Sequence, residues 1–185
     1  TITTKDSLLE FLLFTFGKPK TIRGLLLVSP YYALYMLRLI PVQTAKQKVL
    51  QRFFKNTAVV DFESACNDFT TSVIPSLLRS KALREIELLK EKGATVVIIS
   101  ASPENWIRPW AKSIGVEVLA TRLQVEDGKI TGRINGNNCR GKEKVVRIRE
   151  AYNLAEWDEI YAYGDTKGDK PMLELATFKF YKPFR

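Results

Sequence analysis

The 185-residue chain contains no histidine. That absence excludes Ser-His and Cys-His nucleophile pairs, histidine general bases and histidine-ligated metals. The chemistry left open runs on carboxylates, lysine, serine and hard cations held by oxygen. Cysteine is scarce. Cys66 and Cys139 stand far apart, fit no metal-ligand spacing, and read as two reduced thiols of a cytoplasmic protein. There is no low-complexity tract and no heptad array. There is also no uncharged run long enough to span a bilayer. The longest, residues 24–37 (GLLLVSPYYALYML), has 14 residues and is interrupted by Pro30. A span needs roughly 18–20. The first 17 residues lack the basic start and small-residue cleavage site of a secretory leader. No nucleic-acid motif is present, so no nucleic-acid partner is expected.

What is present is an ordinary globular mix, 45% hydrophobic and 26% charged. The length suits one α/β domain with an insertion. Charge is unevenly placed. Residues 1–60 hold nine Lys/Arg against only Asp6 and Glu10, so +7 of the chain's net +9 lies there. A basic first third suits an anionic partner, either phosphate or an acidic membrane surface; a solvated helix face is the plainer alternative.

The hydrophobic spacing predicts helices over 6–16 and 24–37, a pair broken at Gly17-Lys18-Pro19, with 24–37 buried or interfacial. Further helices are expected over 43–55, 58–72 and 75–92. The pattern then changes. Ala94–Ile99 is a β-branched run of the kind found inside parallel sheets. A helix over 103–114 and a strand at Val116–Ala120 follow. Asp127-Gly128 between alternating residues signals a hairpin of Arg122–Val125 with Lys129–Ile134. A helix over 142–152, a strand at Glu159–Tyr163, a short helix at Lys170–Ala176 and a strand at Phe178–Tyr181 complete the chain. Strand-helix alternation from residue 94 predicts an α/β fold with a doubly wound, Rossmann-like parallel sheet. The first ninety residues form an inserted helical cap. The expected division is 1–4 as a leading tail, 5–90 as cap and 91–185 as catalytic core.

Ligands of open parallel sheets bind at the carboxyl ends of the strands. Three such places carry suitable residues. One strand delivers Ser100. Another delivers Asp165 and Asp169, two carboxylates four apart that suit a hard cation such as Mg2+. Between them Gly141-Lys142-Glu143-Lys144 opens a helix, where a lysine adds to an anion-binding N-terminus. Each piece alone has a bland reading: strand terminator, turn and helix cap, surface lysine. Their order, each at its own strand end or helix head, is more specific.

In these segments the sequence resembles the haloacid dehalogenase superfamily of phosphatases, in its phosphoserine-phosphatase-like branch. IISAS (98–102) resembles motif two, which implies phosphate binding by Ser100. GDTKGDKPML (164–173) resembles motif four, which implies Asp165 and Asp169 at magnesium. GKEKV (141–145) resembles motif three, with the phosphate-binding lysine at either Lys144 or Lys142. Residues two apart on a helix do not face the same way, and Lys144 is favoured. Thr1-Ile2-Thr3 resembles the tail of motif one, D-x-D-G-T. The resemblance therefore implies that the nucleophilic Asp and the acid/base Asp lie upstream of Thr1, on a longer native polypeptide.

The implied activity is Mg2+-dependent phosphomonoester hydrolysis through an aspartyl-phosphate. Asp6 falls where phosphoserine phosphatases carry a substrate-contacting acid, and equally where a helix needs an N-cap. The expected substrate is a small phosphorylated molecule. The runner-up is a phospholipid headgroup, as in phosphatidylglycerophosphatases of this superfamily, with peripheral contact at the inner membrane surface and no transmembrane span. A third reading is a non-catalytic phosphate-binding module. Trp106 and Trp110 are expected to pack the helix after motif two.

Overall fold

The computed structural model describes residues 2–185. Helices dominate the first half. They are α1 (Ser7–Met36), α2 (Val42–Phe54), α3 (Val59–Ser72), α4 (Ile74–Leu77) and α5 (Ser80–Glu91), with a two-residue strand β1 (Thr57–Ala58) between α2 and α3. The second half runs β2 (Val97–Pro103), α6 (Arg108–Ser113), β3 (Glu117–Glu126), β4 (Lys129–Asn135), α7 (Lys142–Ala151), β5 (Tyr161–Gly164), α8 (Lys170–Leu173) and β6 (Phe178–Tyr181).

The strands form two sheets. One has the order β1-β4-β3-β2 and the other is β5-β6. β2 and β3 are parallel from Val97 opposite Glu117, and β5 and β6 are parallel from Tyr161 opposite Phe178. β3, β4 and β1 are antiparallel. The sheet is thus mixed rather than all parallel, because the hairpin extends it. The two strands expected at 116–120 and 122–125 are one strand, β3, whose near half pairs with β2 and far half with β4. Asp127-Gly128 makes the turn with φ of 48° and 69°. The strand expected at Ala94–Ile99 is shifted toward Pro103, since pairing with β3 begins only at Val97. The expected 75–92 helix breaks at Leu78-Arg79, where Arg79 N–H bonds the Ile2 carbonyl instead.

α1 contains both helices expected before residue 37, joined at a corner. Gly17 sits at φ 71°, ψ 164°, a region open essentially to glycine alone. The arms fold back so far that Thr21 Oγ1 donates to the Leu12 carbonyl at 2.9 Å.

The main core joins the helices to the hairpin. Phe11 stacks on Trp106 at 4.6 Å between centroids and meets Phe62 and Phe69 edge-on. Leu50, Phe54, Leu123, Ile130 and Ile134 close around them. Trp106 is fully buried and its Nε1 donates to Ser7 Oγ, as packing rather than substrate contact would require. A second, smaller core lies behind β2 and β3. Both cysteines are buried free thiols. Burial pushes Cys66 up to about 12 and also raises Cys139. No helix among the described residues is long and apolar enough to cross a membrane.

Candidate active site

A cavity of about 1360 Å3 opens between the outer edges of β2 and β5. Ser100, Lys144, Asp165, Asp169 and Asp6 all line it. Lys142 is exposed and does not line it.

The buried centre is Lys144 with Asp169. Their side chains are 7% and 8% exposed, and Nζ lies 2.6 Å from Asp169 Oδ1. Lys144 is the third residue of α7, and its side chain reaches back to the end of β2, donating also to the Ile99 carbonyl at 2.8 Å. An ammonium has three donors, so one remains for a ligand. Asp169 is saturated. Its Oδ2 accepts from the N–H of Asp165 at 3.1 Å, the N–H of Thr166 at 2.9 Å and the Thr166 hydroxyl at 2.8 Å. Burial alone would raise its pKa, but Lys144 and the Thr166 donors outweigh burial and hold it at about 2.

Asp165 directly follows β5 and is buried against Arg185, whose guanidinium donates to Oδ2 at 3.0 and 3.3 Å. Ser100 ends the regular part of β2, just before the pairing with β3 slips. Its Oγ accepts the Ser102 N–H at 3.1 Å, which leaves the hydroxyl hydrogen for an anion. Asp6 is the N-cap of α1, accepting from Leu9 N–H at 3.0 Å, and it is exposed at the cavity rim. Capping therefore does not remove it from the site.

Sequence reasoning missed Lys46. It projects from α2, donating to the Ala101 carbonyl and, at 3.0 Å, to Asn138 Oδ1. Thr121 Oγ1 donates to the Ala101 carbonyl at 2.6 Å and lies 3.0 Å from the same Asn138 oxygen. Desolvation lowers the Lys46 pKa to about 8, against an opposing pull from Asp6 and Cys139. The available signal was a lysine on the inward, Ala45-Leu50-Phe54 side of an amphipathic helix. Arg185 gave no signal at all.

Mg2+ takes hard oxygen donors and is held by one or two carboxylates with water and substrate phosphate completing the octahedron. Asp165 fits as such a carboxylate. Asp169, with both oxygens already accepting, fits as the residue that fixes Lys144 and the Asp165 backbone. No cluster of three acidic or thiol ligands occurs among the described residues.

A strand-end site of serine, lysine and two aspartates on an α/β sheet defines a class: hydrolases that handle phosphate. The comparisons narrow it. The model of the haloacid dehalogenase-like hydrolase family matches residues 1–174. Protein CicA of Caulobacter vibrioides is 37% identical over 187 aligned positions, covering 100% of this chain and 83% of its own length. The phosphoserine phosphatase of Lactococcus lactis is 33% identical over 94 positions, covering 49% of this chain and 44% of its own. Among solved structures, a Bordetella pertussis protein of unknown function superposes with a TM-score of 0.81 at 24% identity, over 96% of this chain and 83% of its own, and shares the fold. The chain belongs to the haloacid dehalogenase-like hydrolase family, and phosphoserine phosphatases are among its relatives.

Proposed function

We propose that the protein hydrolyses phosphomonoesters with Mg2+, through an aspartyl-phosphate, with residues 5–90 as the cap and 91–185 as the core. The observation that carries this reading is the buried Lys144–Asp169 pair beside Ser100 and Asp165, all facing one cavity. Ser100 Oγ–H and the remaining Lys144 N–H donate to the phosphoryl oxygens, in a dry setting where such donors are worth most. Asp165 would hold Mg2+, which would supply further neutralisation of the phosphoryl charge. Asp6 faces the leaving group.

The nucleophile is a different carboxylate. Asp169 has both oxygens engaged and Asp165 is paired with Arg185. A carboxylate attacks phosphorus as the ester P–O bond breaks. A second carboxyl group gives the leaving oxygen its proton and then takes one from the water that releases inorganic phosphate.

The substrate is a small phosphorylated molecule in a cytoplasmic setting, which the two free thiols favour. One observation favours a phospholipid headgroup as the second reading: much of the uncharged 24–37 stretch is exposed rather than forming the cap's core.

The test is phosphate release by the full-length polypeptide over a panel of phosphorylated metabolites and lipids. Asp165→Asn is expected to abolish Mg2+-dependent turnover while leaving the circular dichroism spectrum unchanged. Unaltered turnover at saturating magnesium overturns the assignment. A parent protein that binds phosphate mimics yet releases no phosphate is instead a binding module.

A further inference from the structure

The second arm of α1, residues 18–36, runs antiparallel to α2. Gly24 lies against Phe53 and Tyr31 under Lys48, whose Nζ sits 5.1 Å from the ring centroid. The arm is apolar on nearly every side, yet only the stripe of Thr21, Gly24 and Val28 is buried. Leu26, Leu27, Tyr32, Met36, Leu37 and Leu39 are each 62–68% exposed. A helix apolar all round is normally enclosed, and large contiguous apolar patches mark interaction sites.

Charge selects the occupant. Residues 11–60 contain no Asp or Glu, and this hairpin carries eight cations, Lys18 through Lys55. A second copy would bring cations against cations. An anionic bilayer offers both an apolar phase and negative headgroups. The uncharged stretch is too short to span a bilayer.

The hairpin also points somewhere useful. At the start of α2, Gln43 accepts from Asn138 N–H at 2.9 Å and Lys46 donates to the Ala101 carbonyl, beside Ser100. The loop 37–41 therefore lies at the end of the hairpin nearest the site, and it carries the exposed Leu37 and Leu39 with Arg38 between them.

We propose that the hairpin of α1 and α2 docks the protein on anionic membranes, its exposed leucines, Tyr32 and Met36 entering the headgroup boundary and its cations meeting headgroup phosphates. Docking through the loop turns the Ser100 end of the cavity toward the bilayer. The proposal deepens the lipid-headgroup reading and rests on it only for the substrate, since docking is a binding property without turnover.

The test is flotation of the full chain with vesicles of phosphatidylcholine alone or mixed with phosphatidylglycerol. Co-flotation is expected with the mixed vesicles only, weakening as salt rises over a Debye length of roughly 8–10 Å. Leu37→Asp with Leu39→Asp is expected to lower partitioning about tenfold or more, because a charge replaces apolar area in the interface. Lys18→Gln, Lys20→Gln and Arg23→Gln together, which leave the apolar surface intact, should lower it several-fold and most at low salt. Val125→Asp, at an exposed apolar position on β3, is the control and should change nothing. Absence of flotation with either vesicle overturns docking, as does flotation that none of the hairpin variants reduces. Concentration-dependent dimers that the Leu37/Leu39 variant dissolves, without vesicle binding, assign the face to a second copy and also overturn it. Vesicle binding without phosphatase activity leaves docking standing and fells the catalytic reading alone.

Discussion

The strand-end site and the α1–α2 hairpin treat charge in opposite ways. At the site, charge is buried and answered. Lys144 has a carboxylate and a carbonyl, and Asp169 has four donors on two oxygens. In the hairpin, cations outnumber partners. Within it no acid stands near them in sequence, and apolar side chains stay in solvent. The first arrangement pairs its own charges and holds back only a Lys144 donor and the Ser100 hydroxyl hydrogen for a ligand. The second leaves an excess of one sign and uncovered apolar area, which is what a partner must supply. A catalytic centre and a docking surface can thus be told apart by whether their polar groups are already satisfied.

The sharpest way to break the comparison is at Lys144. Lys144→Ala strips a buried carboxylate of its counter-ion, and breaking a buried pair from one side costs about 3–5 kcal/mol. The remaining three donors on Asp169 put the expected loss near the lower end. Lys142→Ala, on the exposed side of the same helix, should change stability by less than about 0.5 kcal/mol. Chemical denaturation of the two variants reads this directly. Vanadate affinity should follow the same order, and equal losses would mean that Lys144 is not the phosphate-facing lysine.

A smaller effect is expected at the hairpin crossing. A Cβ on Gly24 would lie 2.3 Å from the Phe53 ring. Gly24→Ala therefore forces the partly exposed Phe53 ring out of its place, at a cost of about 1–3 kcal/mol. Because the hydrogen bonds of Ser100, Lys144, Asp165 and Asp169 lie on other elements, vanadate affinity should stay within about twofold while the melting temperature falls. A large loss of vanadate binding would show that the hairpin and the site are one cooperative unit, and the contrast between them would fail.

Much of this was legible in the sequence, for identifiable reasons. The 3.6-residue periodicity located α2, α3 and α7 to within about two residues, because each buries one clear face. The Asp127-Gly128 hairpin was explicit in its turn residues. Ser100, Asp165 and Asp169 stood after strand ends and Lys144 at a helix head, and the fold does bring them to one cavity. Their catalytic and metal roles rest on the proposal. What could not be read depended on distant partners. The start of β2 was misplaced because β-branched Thr95 and Val96 look like strand whether or not they belong to one. That β3 is one strand follows from its pairing with both β2 and β4, which no local pattern encodes. Lys46 reaches Asn138 across 92 positions of chain, and Arg185 reaches Asp165 across 20. Whether residues 24–37 were core or surface turned on what packs against them, and periodicity is silent when every side is apolar.

The last expected effect concerns Lys46, where the two regions meet. It is the hairpin's cation in the site's hydrogen-bond network, held by neutral oxygens of Ala101 and Asn138. Its pKa falls from 10.5 to about 8 because desolvation outweighs the attraction of Asp6 and Cys139, with Arg140 opposing the charge further. The sign follows from linkage. Between about pH 8 and 10.5 the unfolded chain holds the proton and the folded chain has released it. Stability then rises with pH through that window on account of this group, and below about pH 8 the folded state carries the full penalty. Lys46→Met keeps the stem length and removes the titration. The difference in unfolding free energy between parent and variant should therefore drift in the parent's favour by about 2 kcal/mol from pH 7.5 to 10, with other lysines cancelling in the subtraction. A flat difference means that Lys46 is solvated and belongs wholly to the hairpin's exposed charge. A drift toward the variant means that an anion close to it holds the proton on, and the site's boundary then runs through α2.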